Sequence, residues 1–228
     1  MAGDLESLHP ISYDLMMDVN LRAPLLLTQL CTEQLKQSKG CIVNVSCEKG
    51  QRPEPGLLGY CMSKAGLEAL TKTAALELAA FGVRVNCVAP CLIADTNLFN
   101  YASMDENEIS QLNSRAAANT PQKRCCRAAD VAKAIIFLTA AESSKITGHI
   151  MKVDGAKSLT SRGQQDWMGQ SEMSRKFEQE ASINNIFQGF ASLFKPTRQV
   201  DEDSLVQRSN WSDQDPKLSN VAKLTKKV

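Results

Sequence analysis

Long apolar runs are absent from this chain of 228 residues. No segment approaches the ~20 uninterrupted apolar residues of a transmembrane helix, which excludes a helical membrane span. The acidic opening lacks the basic and apolar regions of a signal peptide. We therefore expect a cytoplasmic protein.

The chain also has little net charge and few histidines. Its 26 Lys and Arg residues nearly balance 25 Asp and Glu residues, so nothing indicates a nucleic acid or another polyanion as a partner. The eight cysteines form no C-x2-C pair, and His9 and His149 are far apart, so no metal site is expected. We interpret the cysteines as reduced thiols packed as small hydrophobic side chains, with a redox-active Cys125-Cys126 pair as the alternative.

Strand-like and helical patterns alternate over the first part of the chain. Helical spacing of apolar residues predicts three helices, at residues 11–36, 56–81 and 127–143. Short β-branched runs predict three strands, at residues 41–47, 83–90 and 147–155. This alternation is typical of βαβ units, so we predict an α/β fold with a partial doubly wound, Rossmann-like parallel sheet.

Four further expectations concern the surroundings of these elements. Pro24 has no N–H to donate to the carbonyl of Asn20, which predicts a kink and a free backbone carbonyl at Asn20. The first strand should be covered on both faces. The helix at residues 56–81 is apolar around most of its circumference, which predicts burial against the sheet and against another subunit. Residues 91–127 are polar and irregular, with short helical signals, and we interpret them as a flexible substrate-covering loop. Its apolar residues are consistent with an apolar substrate, and the alternative is that they pack the loop itself.

The sequence changes character after about residue 160. We assign residues 1–160 to the α/β domain. Within residues 161–195, apolar residues recur on one helical face at 183–194, which predicts a helical extension. Residues 196–228 have few apolar residues, a composition typical of a disordered tail.

A tyrosine and a lysine stand four residues apart in the second predicted helix. Residues at this spacing share a helix face, so Lys64 can lie beside the phenol of Tyr60. A neighbouring cation favours phenolate, and we expect it to lower the pKa of Tyr60. Such a phenol can exchange a proton with a carbonyl or alcohol oxygen. The alternative is an ordinary pair on a helix surface.

Five blocks in order carry a resemblance to the classical short-chain dehydrogenases/reductases. They are DVNL, NVSC, Tyr60-x3-Lys64, VRVNCVAP and the run from TPQKRCC to KVDG. The sequence is similar to 3-oxoacyl-[acyl-carrier-protein] reductases over about residues 1–160. The resemblance implies a NAD(P)-dependent oxidoreductase of a small carbonyl/alcohol substrate, with NAD or NADP as the cofactor.

The resemblance also implies roles for individual residues. Tyr60 would be the acid/base, Lys64 would also hold the nicotinamide ribose, and Asn20 would bind a water of a proton relay. Further cofactor contacts are implied for Pro90, Cys91 and Ile93. The family pairs subunits through the two long helices, here residues 11–36 and 56–81, which implies a homo-oligomer or pairing with a full-length relative.

The sequence departs from the family at three cysteines. Cys47 stands where the family has its catalytic serine, and a thiol is a weaker hydrogen-bond donor than a hydroxyl. The adjacent Ser46 should not replace it, because consecutive strand residues point to opposite faces. Cys91 and Cys126 stand where the family usually has glycine.

The family's glycine-rich dinucleotide turn is also absent. None of the twelve glycines belongs to a G-x-G-x-x-G motif, which cradles a pyrophosphate at a helix N-terminus. We therefore expect a truncated form of a longer enzyme that lacks the adenosine-binding half of the sheet. The alternative is a catalytically impaired module that dimerises with, or scaffolds, a full-length relative.

Overall fold

The computed structural model of the protein describes residues 3–97 and 104–160. The predicted extension at 161–195 and the predicted tail at 196–228 lie outside the described residues, as do residues 98–103 of the predicted loop. No helix in the described part of the chain is long and apolar enough to cross a membrane.

The described residues form a three-stranded parallel sheet flanked by helices. Its strands are β1 (Cys41–Val45), β2 (Arg84–Pro90) and β3 (Ile150–Val153), in the order β1-β2-β3. The register pairs Val45 with Val88, and Pro90 with Val153. The predicted parallel α/β sheet is therefore confirmed.

Burial differs between the central strand and its neighbours. All but the first residue of β2 are buried, as expected for a strand covered on both faces. In β1 every residue is partly or more fully exposed, and Val45 is 42% exposed. Ile42 and Val43 nevertheless pack against the apolar clusters on opposite faces of the sheet, so both faces of the first strand are covered as expected, although less fully than those of β2.

The first predicted helix is continuous but contains a wide turn. Helix α1 (Pro10–Met17) runs through a π-helical segment, Asp18–Arg22, into α2 (Ala23–Ser38). The N–H of Ala23 donates to the carbonyl of Asp18, five residues back. The wide turn directly precedes Pro24, which cannot donate to a carbonyl four residues back. The predicted kink thus takes the form of a π-helical turn.

The second predicted helix, α3 (Leu58–Leu78), ends in a short 3-10 turn and then at Gly82. Gly82 has φ of 76°, a left-handed conformation that glycine adopts without strain. One face of α3 packs through Ala74, Ala75 and Leu78 against β2. Leu76 is 81% exposed in the single chain, and burial of α3 against another subunit stays a prediction.

A helix replaces part of the predicted loop at residues 91–127. Helix α4 (Glu106–Ala118) begins with a capping box, in which Asp105 and Glu108 accept hydrogen bonds from each other's backbone N–H groups. Helix α5 (Ala128–Thr139) follows and packs Val131 and Leu138 into a cluster with Val88. Because side chains alternate along β2, α3 and α5 cover opposite faces of the sheet.

Candidate active site

The chain beyond β1 turns two consecutive side chains to opposite sides. The Ser46 N–H donates to the Val88 carbonyl at 2.8 Å and so continues the hydrogen bonds between β1 and β2. Its hydroxyl points toward α3, 3.1 Å from Glu68 Oε1 and 3.3 Å from the Lys64 carbonyl. Cys47 is also extended, with φ of −154°. Ser46 is therefore engaged elsewhere, as the alternation of strand residues predicts.

Cys47 faces Tyr60 instead. The contact with the Tyr60 phenol favours the thiolate and thereby lowers the pKa of the Cys47 thiol. Burial is the larger effect, so the pKa of Cys47 lies above its ordinary value. The thiol is therefore protonated at neutral pH. The structure brings together Cys47 and Tyr60, as the sequence suggested.

The expected lowering of the Tyr60 pKa is wrong. Burial raises the pKa of Tyr60, and the contact with Cys47 raises it further. Lys64 Nζ donates to the Val45 carbonyl at 3.0 Å and lies 5.7 Å from the Tyr60 ring centroid. Burial also lowers the pKa of Lys64. Removal from water is therefore the largest influence on the pKa of both groups.

Asn20 reaches α3 with its side chain. Its Nδ2 donates to Ser63 Oγ at 3.1 Å, and Ser63 Oγ donates to the Tyr60 carbonyl at 2.8 Å. The π-helical turn carries Asn20 to this position, within one helical turn of Tyr60. The role of the Asn20 backbone carbonyl as a ligand for water stays a prediction.

The second group of predicted residues lies at the end of β2. Pro90 pairs with Val153, and the Cys91 N–H donates to the Val153 carbonyl at 3.2 Å. Ile93 pairs with Cys126 in an isolated parallel bridge. Because β1 and β2 are parallel, Cys47 and this group leave the sheet at the same carboxyl edge, where α/β folds bind ligands.

The two cysteines at usual glycine positions contact each other. Cys91 and Cys126 are each 6% exposed and belong to one apolar cluster. Burial raises the pKa of Cys91 to about 12 and also raises that of Cys126, so both are thiols at neutral pH. Neither is among the described residues with positive φ, so cysteine introduces no backbone strain there.

Sequence reasoning missed a buried charged cluster in the loop between Cys47 and Tyr60. Lys49 forms ion pairs with Glu48, at 3.2 Å, and with Glu54. Burial lowers the pKa of Lys49, but the two carboxylates outweigh it and raise the pKa above its ordinary value. Glu68, 4% exposed, accepts from Gln51 Nε2 at 3.0 Å. The sequence did carry a signal for this cluster, because Glu48 and Glu54 lie close to Lys49 in one short loop.

A cavity of about 450 Å³ adjoins this loop. Neither Tyr60 nor Cys47 lines it. Its wall comes from the N-terminal stretch, the loop and the start of α3, through residues that include Asp4, Lys49, Glu54, Leu58, Cys61 and Met62. The cavity therefore lies beside the Tyr60–Cys47 pair rather than at it.

Known proteins resemble this chain in sequence and fold. A family profile described as enoyl-(acyl carrier protein) reductase matches residues 1–156. The 3-oxoacyl-[acyl-carrier-protein] reductase of Thermotoga maritima is 37% identical over 144 residues, which are 63% of this chain and 56% of that reductase. The chain spans less than two thirds of the length of the curated relatives it matches, 61% and 56% for two of them.

Solved structures agree with this likeness. The ligand-free aldohexose dehydrogenase of Thermoplasma acidophilum matches with a TM-score of 0.66 and 29% identity, over 72% of this chain and 66% of that one. The structure of ElxO with NADP bound matches with a TM-score of 0.63 and 25% identity, over 70% of this chain and 64% of that one.

Proposed function

Because the chain belongs to the short-chain dehydrogenase/reductase family, we propose that it serves the NAD(P)-dependent interconversion of a carbonyl and an alcohol. The observation that carries this proposal is the contact between the Tyr60 and Cys47 side chains at the carboxyl edge of the sheet. A protonated phenol there can supply the proton that a carbonyl oxygen takes up as hydride reaches its carbon.

The described residues fit the nicotinamide end of a dinucleotide. Lys64 uses one of the three N–H donors of its ammonium on the Val45 carbonyl, which leaves donors for ribose hydroxyls. Cys91 packs into the apolar cluster with Cys126, so its thiol need not block the edge beside Pro90. When bound, NAD(P)H supplies the hydride. The glycines of the chain form no pyrophosphate-binding motif, so this fit concerns the nicotinamide end alone.

The proton chemistry follows from the surroundings of Tyr60. Its raised pKa keeps the phenol protonated at neutral pH, the state from which it can donate a proton to a carbonyl oxygen. Cys47 contacts the same phenol, so its thiol would orient the substrate oxygen, as a weaker donor than serine. Asn20, through Ser63, holds the turn of α3 that carries Tyr60.

Cofactor binding tests the proposal directly. The purified chain should bind NADH or NADPH saturably in a fluorescence or calorimetric titration. An absence of binding at millimolar cofactor overturns the proposal for this chain. Tyr60→Phe should retain binding and lose about 10²–10⁴-fold in turnover, whereas Tyr13→Phe on α1 serves as the control and should retain both. Unchanged turnover in Tyr60→Phe would remove Tyr60 from the acid/base role.

A second candidate function is that of a pairing module. Several leucines of α2 are exposed, with Leu26 at 50%, Leu27 at 61% and Leu30 at 76%. An apolar surface of this kind on a helix is typical of an interface. We propose that α2 and α3 pair with a second copy of the chain or with a full-length relative.

A further inference from the structure

The loop between Cys47 and Tyr60 is tied to a distant part of the chain by Arg52. Arg52 Nη1 donates to the Lys157 carbonyl at 2.8 Å, and Nη2 donates to the Thr160 carbonyl. The residues are 105 and 108 positions apart in sequence. One guanidinium thus joins the loop to the turn that follows β3.

The acceptor side of this contact is preformed. Asp154 is 7% exposed, and its carboxylate accepts from the N–H groups of Ala156, at 3.0 Å, and Ser158, at 2.9 Å. Ala156 is left-handed, with φ of 68°. Asp154 therefore folds residues 154–160 into a tight turn, and the carbonyls of Lys157 and Thr160 both reach the guanidinium.

The donor side leads directly to Cys47. The Arg52 N–H donates to the Glu48 carbonyl at 2.9 Å, and the Gly50 N–H donates to the Cys47 carbonyl at 3.0 Å. The ion pairs of Lys49 with Glu48 and Glu54 also hold this loop together. These hydrogen bonds connect the backbone of Arg52 to that of Cys47 through one short turn.

We propose that Arg52 is a positioning residue that holds Cys47 against Tyr60 by clamping their shared loop to the Lys157–Thr160 turn. Arg52 acts through the loop and does not touch the reacting atoms. The planar guanidinium suits this task, because it presents two donors in fixed geometry to two carbonyls, whereas a lysine ammonium is a single flexible point. The inference rests on the proposed function of Cys47 and Tyr60.

Thiol alkylation of the full chain tests this inference without cofactor or turnover. Peptide mass spectrometry measures the iodoacetamide alkylation rate at Cys47, with the fully buried Cys87 as internal reference. Arg52→Met should raise the Cys47 rate about tenfold, because two charge-assisted hydrogen bonds no longer restrain the loop. Arg52→Lys should give a smaller rise. Arg22→Met, which removes a guanidinium that pairs with Asp18 in the π-helical segment, should leave the rate unchanged.

Two results would overturn the inference. One is an unchanged Cys47 rate in Arg52→Met, and the other is an equal rise at Cys47 and Cys87, which would indicate general destabilisation. If Arg52→Met does not fold, Arg52→Lys alone decides, and a Cys47 rate equal to that of the unmodified chain refutes the clamp. Failure of NAD(P)H binding would overturn the proposed function and leave this measurement intact.

Discussion

The ammonium nitrogen of Lys64 lies 3.0 Å from the backbone carbonyl oxygen of Val45. Tyr60, one turn earlier on the same helix, pairs with Cys47 instead. The long lysine stem reaches the end of β1, whereas the phenol stays over the loop. In the described residues, Lys64 anchors α3 to the sheet more than it tunes the proton of Tyr60.

Tyr60 should make the folded protein sensitive to alkaline pH. Burial raises its pKa above the ~10 of an exposed phenol. The unfolded chain therefore loses this proton first, so the stabilisation is complete below about pH 10 and is lost as the pH rises further. Thermal unfolding from about pH 8 to about pH 11 should show a shallower fall of Tm in Tyr60→Phe than in Tyr13→Phe. Equal slopes would contradict the burial of Tyr60.

Replacing Cys47 by serine should raise turnover. A hydroxyl donates a stronger hydrogen bond to a substrate oxygen than a thiol does, and loss of one such donor costs ~10²–10³ in rate. We expect Cys47→Ser to gain about tenfold or more in kcat for NAD(P)H-dependent carbonyl reduction. Cys41→Ser, at the start of β1, is the control and should not change kcat. No gain in Cys47→Ser would mean that the thiol suffices or that another donor serves.

Ser46 should matter for stability rather than for chemistry. Its hydroxyl donates to the buried carboxylate of Glu68 at 3.1 Å, so Ser46→Ala leaves that oxygen without this donor. The free energy of unfolding in urea should fall by about 1–3 kcal/mol. Ser38→Ala, at the exposed end of α2, should change it little. A stable Ser46→Ala variant with impaired turnover would show that the hydroxyl serves the reaction.

The exposed face of α2 should govern self-association. A charged side chain at Leu30, which is 76% exposed, would be tolerated by a monomer and would disrupt an apolar interface. In sedimentation experiments, Leu30→Glu should shift the chain toward the monomer. Leu5→Glu, at an 86% exposed position before α1, should leave the distribution unchanged. A chain that is monomeric before any substitution would argue against pairing with itself.

Local patterns were enough to predict the long elements. Apolar spacing predicted the two long helices at residues 11–36 and 56–81, and in the structure Gly82 ends the second. The region of helix α4 was predicted as a loop with only short helical signals because it has few apolar residues, although the pair Asp105 and Glu108 carries the signature of a capping box. Both the successes and the miss concern interactions within a few residues along the chain.

The sequence by itself determined that Tyr60 and Lys64 share a helix face and that Cys47 and Ser46 point to opposite sides, since both follow from backbone periodicity. Only the tertiary structure decided what those side chains meet. The direction of the Tyr60 pKa shift depends on how much water the packed loop excludes. The contacts of Ser46 with Glu68 and of Arg52 with Lys157 join segments 22 and 105 residues apart. No local pattern encodes such contacts, because they form only when the sheet brings distant loops to one edge.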